Sequence, residues 1–338
     1  MSNSSLTICI LTYNRYDHLK RLLRYYLESE YLFDLIVLDS SSFKSEDKEL
    51  KILLEKNGAS WKHFPEDIFF AKKLALGLSY VKTEYAVICA DDDFLVPRGL
   101  LKSVNFLESN KDFISAHGIY CSHSSDTSDG IEWGVHYPLS RSNISDDSLK
   151  RFLKFFPNNY SSYPFYAVHK TSYLQAIWEK TNKCVSDWGW SEIFPSSISV
   201  ILGKSKKLMI LYSSREINPS SPFDQERTEN MFSDTKNNKA ILGLIDIFKE
   251  VGLKKYGLRE IISSQIKIYR ALTSNKPVLK NSFDLYIRYP KILLSRLVSE
   301  FLKIYIYLIE RKEISKIHNL LLCYKISSDK ILESRKSY

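Results

Sequence analysis

The 338-residue sequence predicts an α/β protein: a mostly parallel sheet flanked by helices, followed by a helical C-terminal region. Three observations predict it. Strand-like and helix-like patterns alternate from Leu6 to Ala90, as in a parallel sheet built from crossover units. The apolar run Tyr85–Ala90 lacks polar alternation, as expected of a strand buried on both faces. Beyond Pro219 the strand patterns give way to long segments rich in Leu, Ile and Tyr.

The elements follow in order. Leu6–Thr12 reads as a first strand, and Asp17–Glu30 as a helix with Leu19, Leu22, Leu23, Tyr26 and Leu27 on one face. Leu35–Leu38 is a second strand, closed by Asp39 and three serines. A helix through Glu46–Lys56, a short strand at Trp61–Phe64 and a helix at Ala71–Val81 lead to Tyr85–Ala90. A later apolar strand spans Leu208–Tyr212. The segment Asn218–Asp224, with its prolines and serines, discourages regular structure and marks a linker or a mobile active-site loop. Helical patterns then cover Ala240–Val251, Leu258–Leu272 and Leu285–Leu322. The pattern divides the chain into an α/β part at 1–218, itself split near 115, and a helical region at 219–338.

The last buried strand ends in Asp91-Asp92-Asp93, three like charges that repel one another unless a cation compensates them. Ligands of open α/β sheets bind at the carboxyl ends of strands, so these acids predict a metal and phosphate site. No GxGxxG or GxxxxGK[ST] loop accompanies them, which excludes a dinucleotide fingerprint and a P-loop.

A formal charge of +9 favours an anionic partner, but no nucleic-acid-binding motif is present. Cys9, Cys89, Cys121, Cys184 and Cys323 lack metal-ligand spacing and read as reduced core residues. The first residues carry no basic leader and charges interrupt every apolar stretch, so a cytoplasmic protein without a membrane span is expected.

Together, Leu6–Arg15, Ile36–Ser42 and Ala90–Phe94 resemble the nucleotide-sugar half of glycosyltransferase family 2 in order and spacing. Within that family, Ala90–Phe94 and the later Phe165–Thr171 segment are similar to a bacterial subgroup. The resemblance is strong over residues 4–115 and looser to 215. It makes 1–115 a nucleotide-sugar half and 116–218 an acceptor half. It implies a GT-A fold, Rossmann-like in its sheet, and an inverting enzyme that uses a nucleotide diphosphate sugar and Mn or Mg to build a surface polysaccharide. The implied acceptor is a glycan or a lipid-linked glycan.

Residue roles carried over by that resemblance are as follows. Thr12, Tyr13 and Asn14 line the nucleotide pocket, although a turn capping the next helix would use the same residues. Asp39 bonds the base or ribose. Asp91 or Asp92 faces ribose or metal, and Asp93 is the leading metal ligand. Lys73 approaches phosphate or a site carboxylate, with a solvated helix face as the alternative for Lys72 and Lys73. Glu192, with Asp187 as rival, is the general base. Trp188, Trp190 and His169 are acceptor-side residues, each with a core or structural alternative. From the residues alone, Arg215-Glu216 after the apolar strand reads as a surface ion pair, with phosphate binding by Arg215 as the alternative.

The C-terminal helices, basic at Arg288, Lys291, Arg296, Lys303, Arg311 and Lys312, either pack on the catalytic part, form a homodimer contact or lie on an anionic membrane. Two other classes share features with the chain. A sugar nucleotidyltransferase would open with a glycine-rich loop where this chain has Tyr13–Tyr16, and an inactive GT-A-like binding module would not need its acids intact.

Overall fold

A computed structural model describes residues 4–31, 33–127, 130–138, 140–156, 163–187, 189–216, 234–253, 257–274 and 290–323. The first four strands, β1 (Leu6–Thr12), β2 (Asp34–Asp39), β3 (Ser60–His63) and β4 (Tyr85–Ala90), are parallel in the order β3-β2-β1-β4. Their crossovers are α1 (Tyr16–Leu27), α2 (Lys48–Lys56) and α3 (Phe70–Leu78). Register explains why polar residues meet. Thr12 lies opposite Asp39 and Leu11 opposite Ala90, so all three strands release their chains at one carboxyl edge.

Helix α3 lies unusually close to the sheet at Gly77, where a Cβ would come within 2.2 Å of Leu38 Cδ1. The glycine thus serves packing. Asp47 caps α2 by accepting from the backbone N–H of Glu49 at 2.8 Å, which fixes where that helix begins.

After β4 the sheet becomes mixed. β5 (Phe94–Leu95) leads into α4 (Pro97–Ser109), whose proline suits a helical first turn. β6 (Phe113–Thr127) and β7 (Gly130–His136) form an antiparallel pair, followed by α5 (Ser148–Phe155) and a 3₁₀ turn at Tyr163–Tyr166. Next come β8 (Val168–Lys170), α6 (Thr171–Cys184), α7 (Ile193–Leu202) and β9 (Lys204–Glu216). Among the described residues the strand order is β3-β2-β1-β4-β8-β6-β9-β5, with β7 on β6. Strand β9 extends beyond the predicted Leu208–Tyr212 because β6 runs beside it and β5 pairs with its end, Phe94 opposite Ser214. Those neighbours satisfy the backbone of the polar residues Ser213 to Glu216, which hydrophobicity alone could not assign to a strand.

The helical region comprises α8 (Asp234–Glu250), α9 (Leu258–Ser274), α10 (Pro290–Ile309) and α11 (Arg311–Cys323). Helix α8 packs on α7, with Leu244 and Phe248 buried. Helix α11 reaches α1, where Tyr25 donates to Glu313 Oε1 at 2.5 Å and Lys316 Nζ donates to the Tyr25 carbonyl at 3.3 Å. The C-terminal helices therefore pack on the α/β body. Among the described residues no helix is long and apolar enough to cross a membrane. Cys9, Cys89 and Cys121 are buried free thiols, as expected, and Cys184 is half-buried.

Candidate active site

The three acids emerge from β4 in a tight turn: Asp91 N–H donates to the Leu11 carbonyl at 3.1 Å and Asp93 N–H to the Ala90 carbonyl at 3.2 Å. Two arginines meet them. Arg15, at the start of α1, forks across two carboxylates, Nη2 on Asp91 Oδ1 and Nη1 on Asp92 Oδ2, the latter at 2.7 Å. The pairing of β5 with β9 carries Arg215 to the other side, where its Nε donates to Asp93 Oδ2 at 3.0 Å.

Each nitrogen of Arg215 is engaged. Its Nη1 donates to the Tyr137 hydroxyl at 2.7 Å and its Nη2 to the Tyr166 hydroxyl at 2.9 Å, with the guanidinium 4.1 Å from the Tyr166 ring centre. Asp93 Oδ1 accepts the Glu216 backbone N–H at 3.2 Å, and the Glu216 side chain pairs with buried Arg21. The expected surface pair Arg215–Glu216 is instead two buried pairs reaching different partners. Burial pushes Asp93 up to about 7 and Asp91 up to about 6, against the opposing pull of Arg215 and Arg15.

On the β1–β2 side, Asp39 is wholly buried and accepts four hydrogen bonds. Ser41 N–H and Oγ reach Oδ1 at 2.8 and 2.6 Å, while the Tyr16 hydroxyl and Trp61 Nε1 reach Oδ2 at 2.9 and 3.0 Å. Asp39 thereby organises the loop walls. Asn14 adopts φ 51°, a left-handed conformation that asparagine tolerates, and binds both Ser41 and Ser42. The Tyr13 hydroxyl donates to Glu66 Oε1 at 3.0 Å. Thr12 is buried at the strand end, with its hydroxyl beside the Asp91 carboxylate.

Lys73 points inward, while Lys72 is exposed. The Lys73 ammonium donates to Ser40 Oγ at 2.8 Å and the Thr12 carbonyl at 3.3 Å. Burial pulls it down to about 8, opposed by the charges of Asp39 and Asp91. It supplies a positive charge between the two strand ends.

Among the acceptor-side residues, Glu192 precedes α7, half-buried, and its charge acts on Arg215, Tyr166 and His136. It therefore belongs to the neighbourhood of Arg215, the partner of Asp93. Asp187 accepts the Trp190 backbone N–H at 3.2 Å, a turn-forming contact. Trp190 is wholly buried and packs edge-on against Phe194, 6.4 Å between ring centres. It presents no open face to a sugar, so here the core alternative holds. His169 is also interior: Nδ1 lies 2.8 Å from the Ala167 carbonyl and Nε2 2.9 Å from Ser199 Oγ, leaving neither nitrogen for an acceptor. Trp188 and the linker or loop expected at Asn218–Asp224 lie outside the described residues.

Among the described residues no group of three or more His, Cys, Asp or Glu side chains is arranged as a metal cage. A magnesium-like ion needs no such cage, because one or two carboxylates and the substrate's phosphates suffice. Asp91 and Asp92 fit that role. Asp91 Oδ2 is a buried carboxylate oxygen that Arg15 leaves unpaired, and Asp92 is the least buried acid of the three. Asp93, with both oxygens held by Arg215 and Glu216, fits it poorly.

Sequence reasoning missed the structural importance of Arg15, Arg215, Tyr137, Tyr166 and Arg21. The available signal was electrostatic: three adjacent acids ending a buried strand require cations, and Arg15 follows a neighbouring strand end directly. No local pattern points to Tyr137, whose approach depends on the long β6–β7 pair.

Buried imidazoles give the fold an acid sensitivity. Burial pulls His18, His136 and His169 down to about 4, and His117 and His123 to about 3. Their folded values lie below the ordinary 6.5, so the unfolded chain binds more protons and stability is lost as pH falls from 6.5 towards 4. Asp91, Asp93 and Glu310, raised on folding by burial, act with the opposite sign, but they are three groups against five. Urea midpoints measured at intervals between pH 7 and 4.5 should fall steadily; a flat or rising series would contradict buried neutral histidines.

The geometry defines a class: an α/β protein whose parallel strands converge on a cluster of acids, arginines and a buried lysine at one carboxyl edge. The family model described as Glycosyl transferase family 2 matches residues 7–175, and the chain belongs to that family and is a glycosyltransferase. No curated protein matches the chain. Among solved structures, residues 1–349 of S. aureus TarS are similar at 13% identity, covering 72% of this chain and 71% of that one, with a TM-score of 0.44. The same segment in complex with UDP-GlcNAc gives 12% identity, 71% coverage of both chains and a TM-score of 0.46. CMP:2-keto-3-deoxy-manno-octonic acid synthetase complexed with CTP gives 10% identity, 66% of this chain, 97% of that chain and a TM-score of 0.39. Likenesses this distant carry no argument about substrate.

Proposed function

We propose that the chain transfers a sugar from a nucleotide diphosphate sugar to a hydroxyl of a glycan or lipid-linked acceptor, with inversion, in the synthesis of a surface polysaccharide. The observation that carries this reading is the shared carboxyl edge, where Asp39, Asp91 and Asp92 face the loop after β1 with Lys73 between the strands. The Thr12–Asn14 loop, its wall set by Asp39, holds the nucleoside. The diphosphate lies towards Asp91 and Asp92, with Arg15 shifting from the carboxylates to a phosphate when the donor arrives.

Mn or Mg would be held by Asp91 and Asp92 and would carry charge on the departing diphosphate, an effect worth several kcal/mol. Asp93 positions the turn through Arg215. Glu192 removes the acceptor hydroxyl's proton as that oxygen bonds to the anomeric carbon and the bond to the diphosphate breaks. The nucleoside diphosphate departs with the electron pair.

The test is release of nucleoside diphosphate from a panel of uridine, guanosine and thymidine diphosphate sugars, read by chromatography with Mn, with Mg and with chelator. One donor should be turned over slowly by water, in a metal-dependent manner. Folded protein that turns over none of these donors, yet joins a nucleoside triphosphate to a sugar phosphate with release of pyrophosphate, would replace this reading with the nucleotidyltransferase one.

A further inference from the structure

We propose that helix α10 is a docking surface for an anionic lipid bilayer, lying in the headgroup region parallel to the membrane. Its outward face carries Leu294, Leu297, Phe301, Ile304 and Leu308, with relative exposures of 46%, 60%, 64%, 61% and 74%. The spacing of three and four residues aligns them in one stripe, and Tyr307 widens its end. Isolated exposed leucines are ordinary, whereas a contiguous stripe of this size marks an interaction surface.

The stripe faces outward because the helix is anchored by its other side. Leu302 and Ile306 are buried, the Tyr305 hydroxyl donates to the Met209 carbonyl at 3.0 Å, and Arg98 pairs with Glu310 at 3.4 Å. Among the described residues nothing covers the exposed side.

Charge selects the partner. Residues 290–323 carry six Lys and Arg against three Glu. Arg311 and Lys312 are exposed where the stripe ends, and with Lys316 and Glu28 they line a groove. An apolar face bordered by cations is what an interfacial helix presents to lipid headgroups. A coiled-coil seam fits less well: the stripe from Leu294 to Leu308 spans about two heptads, short of the three or four that sustain one. This inference does not depend on the donor chemistry.

The experiment is flotation of the full chain with vesicles of phosphatidylcholine, alone or mixed with phosphatidylglycerol. Light scattering gives the mass, and circular dichroism checks folding. Two variants accompany it, L297S/F301S/L308S and R311E/K312E, and single L297S and L308S serve if the triple variant misfolds. The wild-type chain should float with the anionic vesicles, with partitioning reduced on the order of tenfold or more on neutral vesicles and in both folded variants. Failure of the wild-type chain to float with anionic vesicles, or equal flotation of the variants, would overturn the proposal. So would a wild-type dimer that the apolar variants dissociate, since the face would then join two copies of the chain.

Discussion

Glu192→Gln should lower sugar transfer by about a hundredfold to ten-thousandfold while leaving donor affinity close to wild type, because general-base catalysis contributes that much and glutamine keeps the shape of the side chain. The choice of Glu192 rests on its surroundings. Its charge reaches Arg215, which holds Asp93, and Tyr166, which holds Arg215, so it lies on the Arg215 side of the acid cluster at the start of α7. Asp187, by contrast, is engaged with the backbone N–H of Trp190. Asp187→Asn should therefore act mainly through stability and cost far less in turnover. The comparison is made under donor saturation, so that a change in kcat is separated from one in KM. Equal losses in the two variants, or the larger loss in Asp187→Asn, would move the base to Asp187.

Asp92→Ala should be the second severe lesion, for a different reason. Removing one of two carboxylates from a site that also depends on donor phosphates should reduce kcat/KM by about a thousandfold, in keeping with several kcal/mol of metal-assisted stabilisation. The protein should melt near the wild-type temperature, because Asp92 is only half-buried and Arg15 keeps its bond to Asp91. Asp93→Ala reverses the pattern. It strands Arg215 inside a cage of two tyrosines and removes the acceptor for the Glu216 N–H, a loss of roughly 3–5 kcal/mol of stability for a broken buried pair. Melting curves and turnover measured on the same preparations distinguish the roles. A stable but inactive Asp93→Ala beside an active Asp92→Ala would reassign the ligand to Asp93.

Local pattern made the first half of the fold legible. Strands at Leu6–Thr12 and Tyr85–Ala90 could be read because they are continuous apolar runs, and their crossovers because α1 to α3 repeat apolar residues at helical spacing. The acids stood out for the same reason, since charge at the end of such a run is conspicuous. What could not be read depends on contacts between distant segments. Arg215 meets Asp93 only because β5 pairs with the end of β9, and Tyr166 meets Arg215 only because a 3₁₀ turn precedes β8. Trp190 and His169 were ambiguous for a related reason: an aromatic or imidazole side chain suits a core as well as a binding site, and only packing against Phe194 or Ser199 decides it. Lys73 illustrates the converse. Two adjacent lysines on a helix look solvated, yet one of them turns under the sheet edge to reach Ser40.

The most direct test of the central claim is donor binding by thermal shift, with nucleotide diphosphate sugars presented with and without Mn²⁺ to wild-type, Asp92→Ala and Glu192→Gln protein. A ligand that binds only the folded state raises its melting temperature. One donor should stabilise the wild type and Glu192→Gln in a metal-dependent manner and leave Asp92→Ala unmoved. If neither a donor nor a free nucleoside diphosphate shifts wild-type protein, or if Asp92→Ala shifts as much as wild type, the acid edge is not the donor site.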